Sequence, residues 1–169
     1  YYLTKDMVEN GFFGPNSWAS QYEYKMWYPW GRNMGSSYPG LPATVAFFYC
    51  ILSALGIRIV LPPGLHPLST DPLYNFCVIF PVIMSVFTCI VMYFLGRDVG
   101  GKEVGLLSAL LLALNGSYIS RTALGFFDDE TVGIFGILLF IFFFLRSIEP
   151  ERSIRANAIY AVAAGLSLG

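Results

Sequence analysis

The residues with the most chemistry in them lie in one short stretch, Ser120 to Glu130, which reads S-R-T-A-L-G-F-F-D-D-E. Asp128 and Glu130 stand two apart with Asp129 between them, and Arg121 is the cation of the stretch. On a continuous helix, residues two apart point to different sides. In an extended segment they project the same way. A chain extended up to Glu130 and helical from Thr131 would therefore bring both carboxylates to one cation. Paired carboxylate oxygens suit a hard divalent ion such as Mg2+ or Mn2+. With no ion, crowded carboxylates repel and a pKa among them rises. A plainer reading competes with this one. Acids that open a helix cap it and complement its dipole, by about 0.3–1 kcal/mol each, and Arg121 becomes a side chain snorkelling at a membrane boundary. D-x-E alone is too short a pattern to choose between the two.

The elements that must hold this stretch are apolar. Of 169 residues, 56% are hydrophobic and 12% charged, where a soluble domain carries about a quarter charged. The charges are clustered and leave long neutral runs, so the fold expected is all-α, a multi-pass helical membrane protein. A net charge of -1 gives no case for a nucleic-acid partner. A bilayer-crossing helix needs about 20 apolar residues. The runs 73–95 (with Pro81 inside it), 104–119 and 131–145 are read as spans, and 156–169 as a truncated further one.

Short charged connectors separate these spans. One holds Arg97 and Lys102, the other Arg146, Arg152 and Arg155. The positive-inside tendency puts both on the cytoplasmic face and the acidic loop 120–130 on the opposite one. The run 41–61 is a fourth span by hydropathy, yet charge does not say whether it crosses. Lys5, Lys25 and Arg32 in the first forty residues are balanced by Asp6, Glu9 and Glu23. That region carries Trp18, Trp27, Trp30, Pro15, Pro29 and Pro39, the composition of an ordered loop at the membrane–water boundary. The chain opens at Tyr1 without a basic-then-apolar leader and closes at Gly169 inside an apolar run, as a piece of a longer protein would.

Several chemistries are closed off. Cys50, Cys77 and Cys89 lie in apolar segments without paired spacing. With His66 the only histidine, neither a His-based triad nor a multi-His metal site can be built from this chain alone. Asn115-Gly116-Ser117 has the pattern of a glycosylation acceptor but falls at a predicted helix end, where modification is not expected.

Three ordered stretches give the chain a family resemblance. The first is V-E-N-G-F-F from Val8, followed by W-Y-P-W-G-R from Trp27 and Y-P-G-L from Tyr38. The second is G-R-D from Gly96 with G-G-K-E-V-G-L-L-S-A-L-L-L-A from Gly100, and the third is S-Y-I-S-R-T-A-L-G-F-F-D-D-E from Ser117. In order and spacing they resemble the catalytic subunit family of oligosaccharyltransferase, the enzyme of N-linked protein glycosylation. The resemblance covers nearly the whole chain.

It implies a GT-C type membrane domain with a long structured first external loop, residues 1–72. Within that loop, 41–61 lies along the outer surface, which puts the loop and the acidic stretch on the same face. Asp128 and Glu130 match the metal-binding carboxylates of the family's second acidic motif, and Arg121 an arginine close to metal and acceptor. The family's first acidic motif is expected just before Tyr1, since Asp6 lies too far along to replace it. A later catalytic glutamate and a W-W-D-Y-G motif are expected beyond Gly169, so this piece alone would be inactive.

The activity implied is transfer of an oligosaccharide from a lipid pyrophosphate to Asn in Asn-x-Ser/Thr sequences of a polypeptide, with Mg2+ or Mn2+. The setting is an archaeal cell membrane in preference to the endoplasmic reticulum. Another GT-C enzyme, such as a lipid-dependent protein mannosyltransferase, is the first alternative, and the W-Y-P-W-G-R stretch and the D-x-E speak against it. A transporter is the second. It would turn its carboxylates toward a pathway between helices and show no metal dependence.

Overall fold

The computed structural model describes residues 1–13, 17–24, 27–62, 70–150 and 152–167. His66 and Lys25 lie outside them. The chain forms two compact units, residues 1–80 and 81–169.

In the first unit, helix α1 (Tyr2–Asn10) turns Leu3 and Met7 inward. A two-residue antiparallel pair follows, β1 (Tyr22–Glu23) against β2 (Arg32–Asn33), and then helix α2 (Gly40–Ala54). Leu3, Met7, Met34 and Ala46 form one buried cluster, with Val8, Phe12, Trp18 and Ala43 packed on it. Trp18 is therefore a packing residue, whereas Trp27 and Trp30 at the tip of the β1–β2 hairpin are exposed. Gly31 closes that tip at φ 74, and a Cβ there would stand 2.5 Å from the Tyr22 ring.

The apolar run 41–61 is helical only as far as Ala54. Gly56 takes φ 75, its N–H donates to the Ser53 carbonyl at 3.0 Å, and the Ile57 N–H donates to Leu52 at 2.9 Å. These bonds form a Schellman stop, which needs a residue that tolerates positive φ. Fifteen residues of helix reach about 22 Å, short of the roughly 30 Å of a hydrocarbon core.

Helix α3 (Pro72–Ala113) starts with proline at its first position, and the carboxylate of Asp71 accepts the Leu73 N–H at 2.9 Å. Tyr1 donates its phenol hydrogen to the other oxygen of Asp71. The helical dihedrals fail at Gly100 and Gly101, the latter at φ 86. In a straight helix the nine steps from Gly96 to Gly105 would span about 13 Å. Here a Cβ on Gly96 would lie 3.0 Å from the Gly105 Cα, and a Cβ on Gly105 would lie 2.6 Å from the Tyr93 carbonyl oxygen. The two arms on either side of this break, 93–97 and 105–108, thus fold back on each other as a hairpin within the second unit. The glycines let their backbones touch.

The second unit continues with α4 (Gly116–Arg121), capped by the Asn115 side chain, which accepts the Tyr118 N–H at 3.0 Å. The run 104–119 is thus not one helix. It breaks after Ala113, and Asn115 serves as a cap. Helix α5 (Glu130–Ser147) and helix α6 (Ile154–Leu166) pack side by side.

Two helices are long and apolar enough to cross a membrane, α3 and α5. Only 22% and 6% of their most apolar windows are buried within the chain, whereas the core helix of a soluble domain is mostly covered. The fold is mainly helical, and its strand content among the described residues is confined to β1 and β2.

Candidate active site

The acidic stretch hangs between α4 and α5. Helix α4 ends where the Thr122 hydroxyl bonds back to the Tyr118 carbonyl at 2.8 Å, an interaction that competes with continued helix. Next comes a turn from Ala123 to Phe126, closed by the Phe126 N–H on the Ala123 carbonyl at 3.0 Å. Gly125 occupies its third position at φ 83, the type II pattern. The return is fastened by Thr131, 1% exposed, whose hydroxyl donates to the Arg121 carbonyl at 3.3 Å. The backbone of Arg121 is thereby held beside the start of α5.

Both carboxylates converge on one cationic atom. Nη1 of Arg121 lies 2.7 Å from Oε2 of Glu130 and 3.6 Å from Oδ2 of Asp128. The other oxygen of Asp128 accepts the Asp129 N–H at 2.8 Å. The guanidinium also lies over the Phe126 ring, 5.6 Å from its centre. All three charged side chains are close to half exposed, so solvent and incoming ligands reach them. The carboxyl of Asp129 is pushed above its ordinary pKa, first by partial burial and then by the neighbouring charge of Asp128.

The route to this convergence differs from the extended segment expected of the sequence. Helix α5 begins at Glu130, and Asp129, its N-cap, already has helical dihedrals (φ -58, ψ -27). The acids meet because Arg121, nine positions back, reaches between them. Neither is the capping alternative realised through Asp129, whose side chain accepts no cap hydrogen bond. Thr131 and Phe126, which fix and flank the arginine, were not legible as site residues. A threonine just inside a helix and a phenylalanine in an apolar stretch give no signal of their own.

Two carboxylate oxygens, one each from Asp128 and Glu130, are donors of the kind a hard divalent ion takes, and the point where they converge is held by Nη1 of Arg121. Among the described residues no three His, Cys, Asp or Glu side chains gather, so further ligands would come from water, substrate or other chain.

Residues 1–169 match the family described as "Oligosaccharyl transferase STT3, N-terminal". Over 150 residues, 88% of the chain, the protein is 31% identical to the STT3B subunit of dolichyl-diphosphooligosaccharide–protein glycosyltransferase of Arabidopsis thaliana, covering 18% of it. The STT3 subunit of Dictyostelium discoideum is 29% identical over 150 residues, 88% of the chain and 19% of that protein. The STT3A subunit of Oryza sativa subsp. japonica is 30% identical over 148 residues, 87% of the chain and 17% of that protein. The chain spans less than a fifth of the length of these relatives. All are eukaryotic, and the expectation of an archaeal membrane has no support among them. With every one of its residues inside the matched region, the chain belongs to the oligosaccharyl transferase STT3 family.

Proposed function

We propose that this chain supplies part of the catalytic centre of an oligosaccharyltransferase. The enzyme moves an oligosaccharide from a lipid pyrophosphate to the side-chain amide of Asn in Asn-x-Ser/Thr sequences. The observation that carries this reading, beside family membership, is the meeting of Asp128 and Glu130 at a single cationic atom. An amide nitrogen is a weak nucleophile because its lone pair is delocalised, so the work left to a protein is positioning and charge compensation.

Asp128 and Glu130 would hold Mg2+ or Mn2+. Bound there, the ion supplies positive charge to the departing pyrophosphate. Arg121 adds a positive charge near them, and Thr131 keeps its backbone in place. In this reading the architecture is of the GT-C type. Residues 1–72 form the first external loop, α2 lies on the membrane surface, and the acidic loop faces away from the cytosol. Bilayer lipid surrounds the exposed faces of α3 and α5.

The test uses the full-length protein carrying Asp128→Ala and Glu130→Ala together. Transfer of glycan to an acceptor peptide should be abolished while membrane insertion is retained. Normal transfer by the double variant would remove both carboxylates from the mechanism.

A further inference from the structure

Arg121 stands at the point where the two carboxylates converge. Its Nη1 is 2.7 Å from one carboxylate and 3.6 Å from the other, and two cations cannot share that point without strong repulsion at such short range. We propose that Arg121 is an intramolecular competitor of the divalent ion: it holds Asp128 and Glu130 together while the ion is absent and withdraws when the ion binds. The proposal rests on the reading of Asp128 and Glu130 as cation ligands and adds the role of the arginine that faces them.

Three features of the site make such an exchange workable. The backbone of Arg121 is pinned by Thr131, so only the side chain has to move. The guanidinium is 47% exposed and meets no closed wall on leaving. The Phe126 ring, 5.6 Å away, gives it a second attractive surface, since a guanidinium is drawn to an aromatic face. The pair of carboxylates is thus never left facing itself uncompensated, which would spread the two side chains and dismantle the site between turnovers.

Competition has a measurable signature. A ligand that binds only when the competitor has withdrawn shows an apparent affinity lowered by the fraction of time the site is open. In full-length protein, Mn2+ binding is followed by the electron paramagnetic resonance of the free ion, with Asp128→Asn identifying the part due to this site. Arg121→Gln should tighten that part by about threefold to tenfold, and Arg121→Lys, which keeps the charge but loses the planar fork, should fall between.

A measurement on the unaltered protein needs no variant to fold. Mn2+ should raise phenylglyoxal labelling of Arg121, located by peptide mass spectrometry. Mn2+ binding that Asp128→Asn leaves untouched would overturn the cation reading and this proposal with it. Binding that is sensitive to Asp128→Asn but unchanged or weakened by Arg121→Gln, or labelling that Mn2+ does not raise, would overturn the competition alone.

Discussion

Arg146 donates from Nε at 2.9 Å and from Nη2 at 2.8 Å to a single oxygen of Asp98, forty-eight positions earlier in the chain. Asp98 sits at the end of the first arm of α3 and Arg146 in the last turn of α5. The pair therefore draws the two basic connectors to one end of these helices. The acidic loop opens α5 at the other end. Both partners are less than a third exposed, and Arg146 also lies 4.3 Å from the centre of the Phe142 ring. Reversing one charge, in Asp98→Arg or Arg146→Asp, should lower the melting temperature of the detergent-solubilised full-length protein. The double reversal should recover most of the loss. A coupling of about 1–2 kcal/mol is expected for a partly buried, charge-assisted contact. Losses that simply add would show that the two residues act independently.

The helical class and the two long apolar helices were legible in the sequence because they follow from the length and charge of apolar runs. Composition cannot place a helix stop. Gly56 ends α2 seven residues before the apolar run does, since a Schellman stop depends on one φ angle. Asn115 and Thr122 bound α4 through side-chain bonds to backbone, which hydropathy does not register. At the site, Asp128, Glu130 and Arg121 were readable as types at a spacing. Their meeting was not, because it depends on a turn at Gly125 and on a buried threonine whose partner is ten residues away.

The hairpin within α3 makes its own prediction. A methyl group on Gly105 would stand 2.6 Å from the Tyr93 carbonyl oxygen and 3.0 Å from the Arg97 nitrogen, both backbone atoms. Gly105→Ala should therefore force the arms apart and cost about 1–3 kcal/mol, the range of overpacked sites. Gly133, inside α5, is the control: nothing lies within 4 Å of its added Cβ. Gly133→Ala should be neutral or stabilise by about 0.5–1 kcal/mol through helix propensity. Equal melting temperatures for the two variants would rule out the close approach of the arms.

Asp129 predicts a pH dependence of defined sign. Its carboxyl is raised in the folded chain, so the folded state takes up a proton more readily there than the unfolded state does. Its contribution to stability is then fully present below the ordinary carboxylate pKa and is lost as pH rises through the raised value. Asp129→Asn should melt higher than the parent protein at neutral pH. The gap should close as the pH falls toward the ordinary carboxylate range. The side chain is well exposed, so the effect is small. A gap that widens on acidification would mean that the charge of Asp129 stabilises the fold.

The separation of acidic loop from basic connectors can be read directly from accessibility. Asp129→Cys and Lys102→Cys, each in a full-length protein otherwise freed of reactive cysteine, are treated with a membrane-impermeant maleimide on sealed vesicles of known orientation. The basic connectors hold Arg97, Lys102, Arg146, Arg152 and Arg155 and by charge belong on the cytosolic side. Position 129 opens α5 at the end remote from the Asp98–Arg146 contact. Position 129 should be labelled only from the face opposite the cytosol, and position 102 only from the cytosolic face. Label reaching both positions from the cytosolic face would mean that the chain between them does not cross the bilayer. Asp128 and Glu130 would then lie on the cytosolic side, out of reach of an acceptor chain that has passed through the membrane.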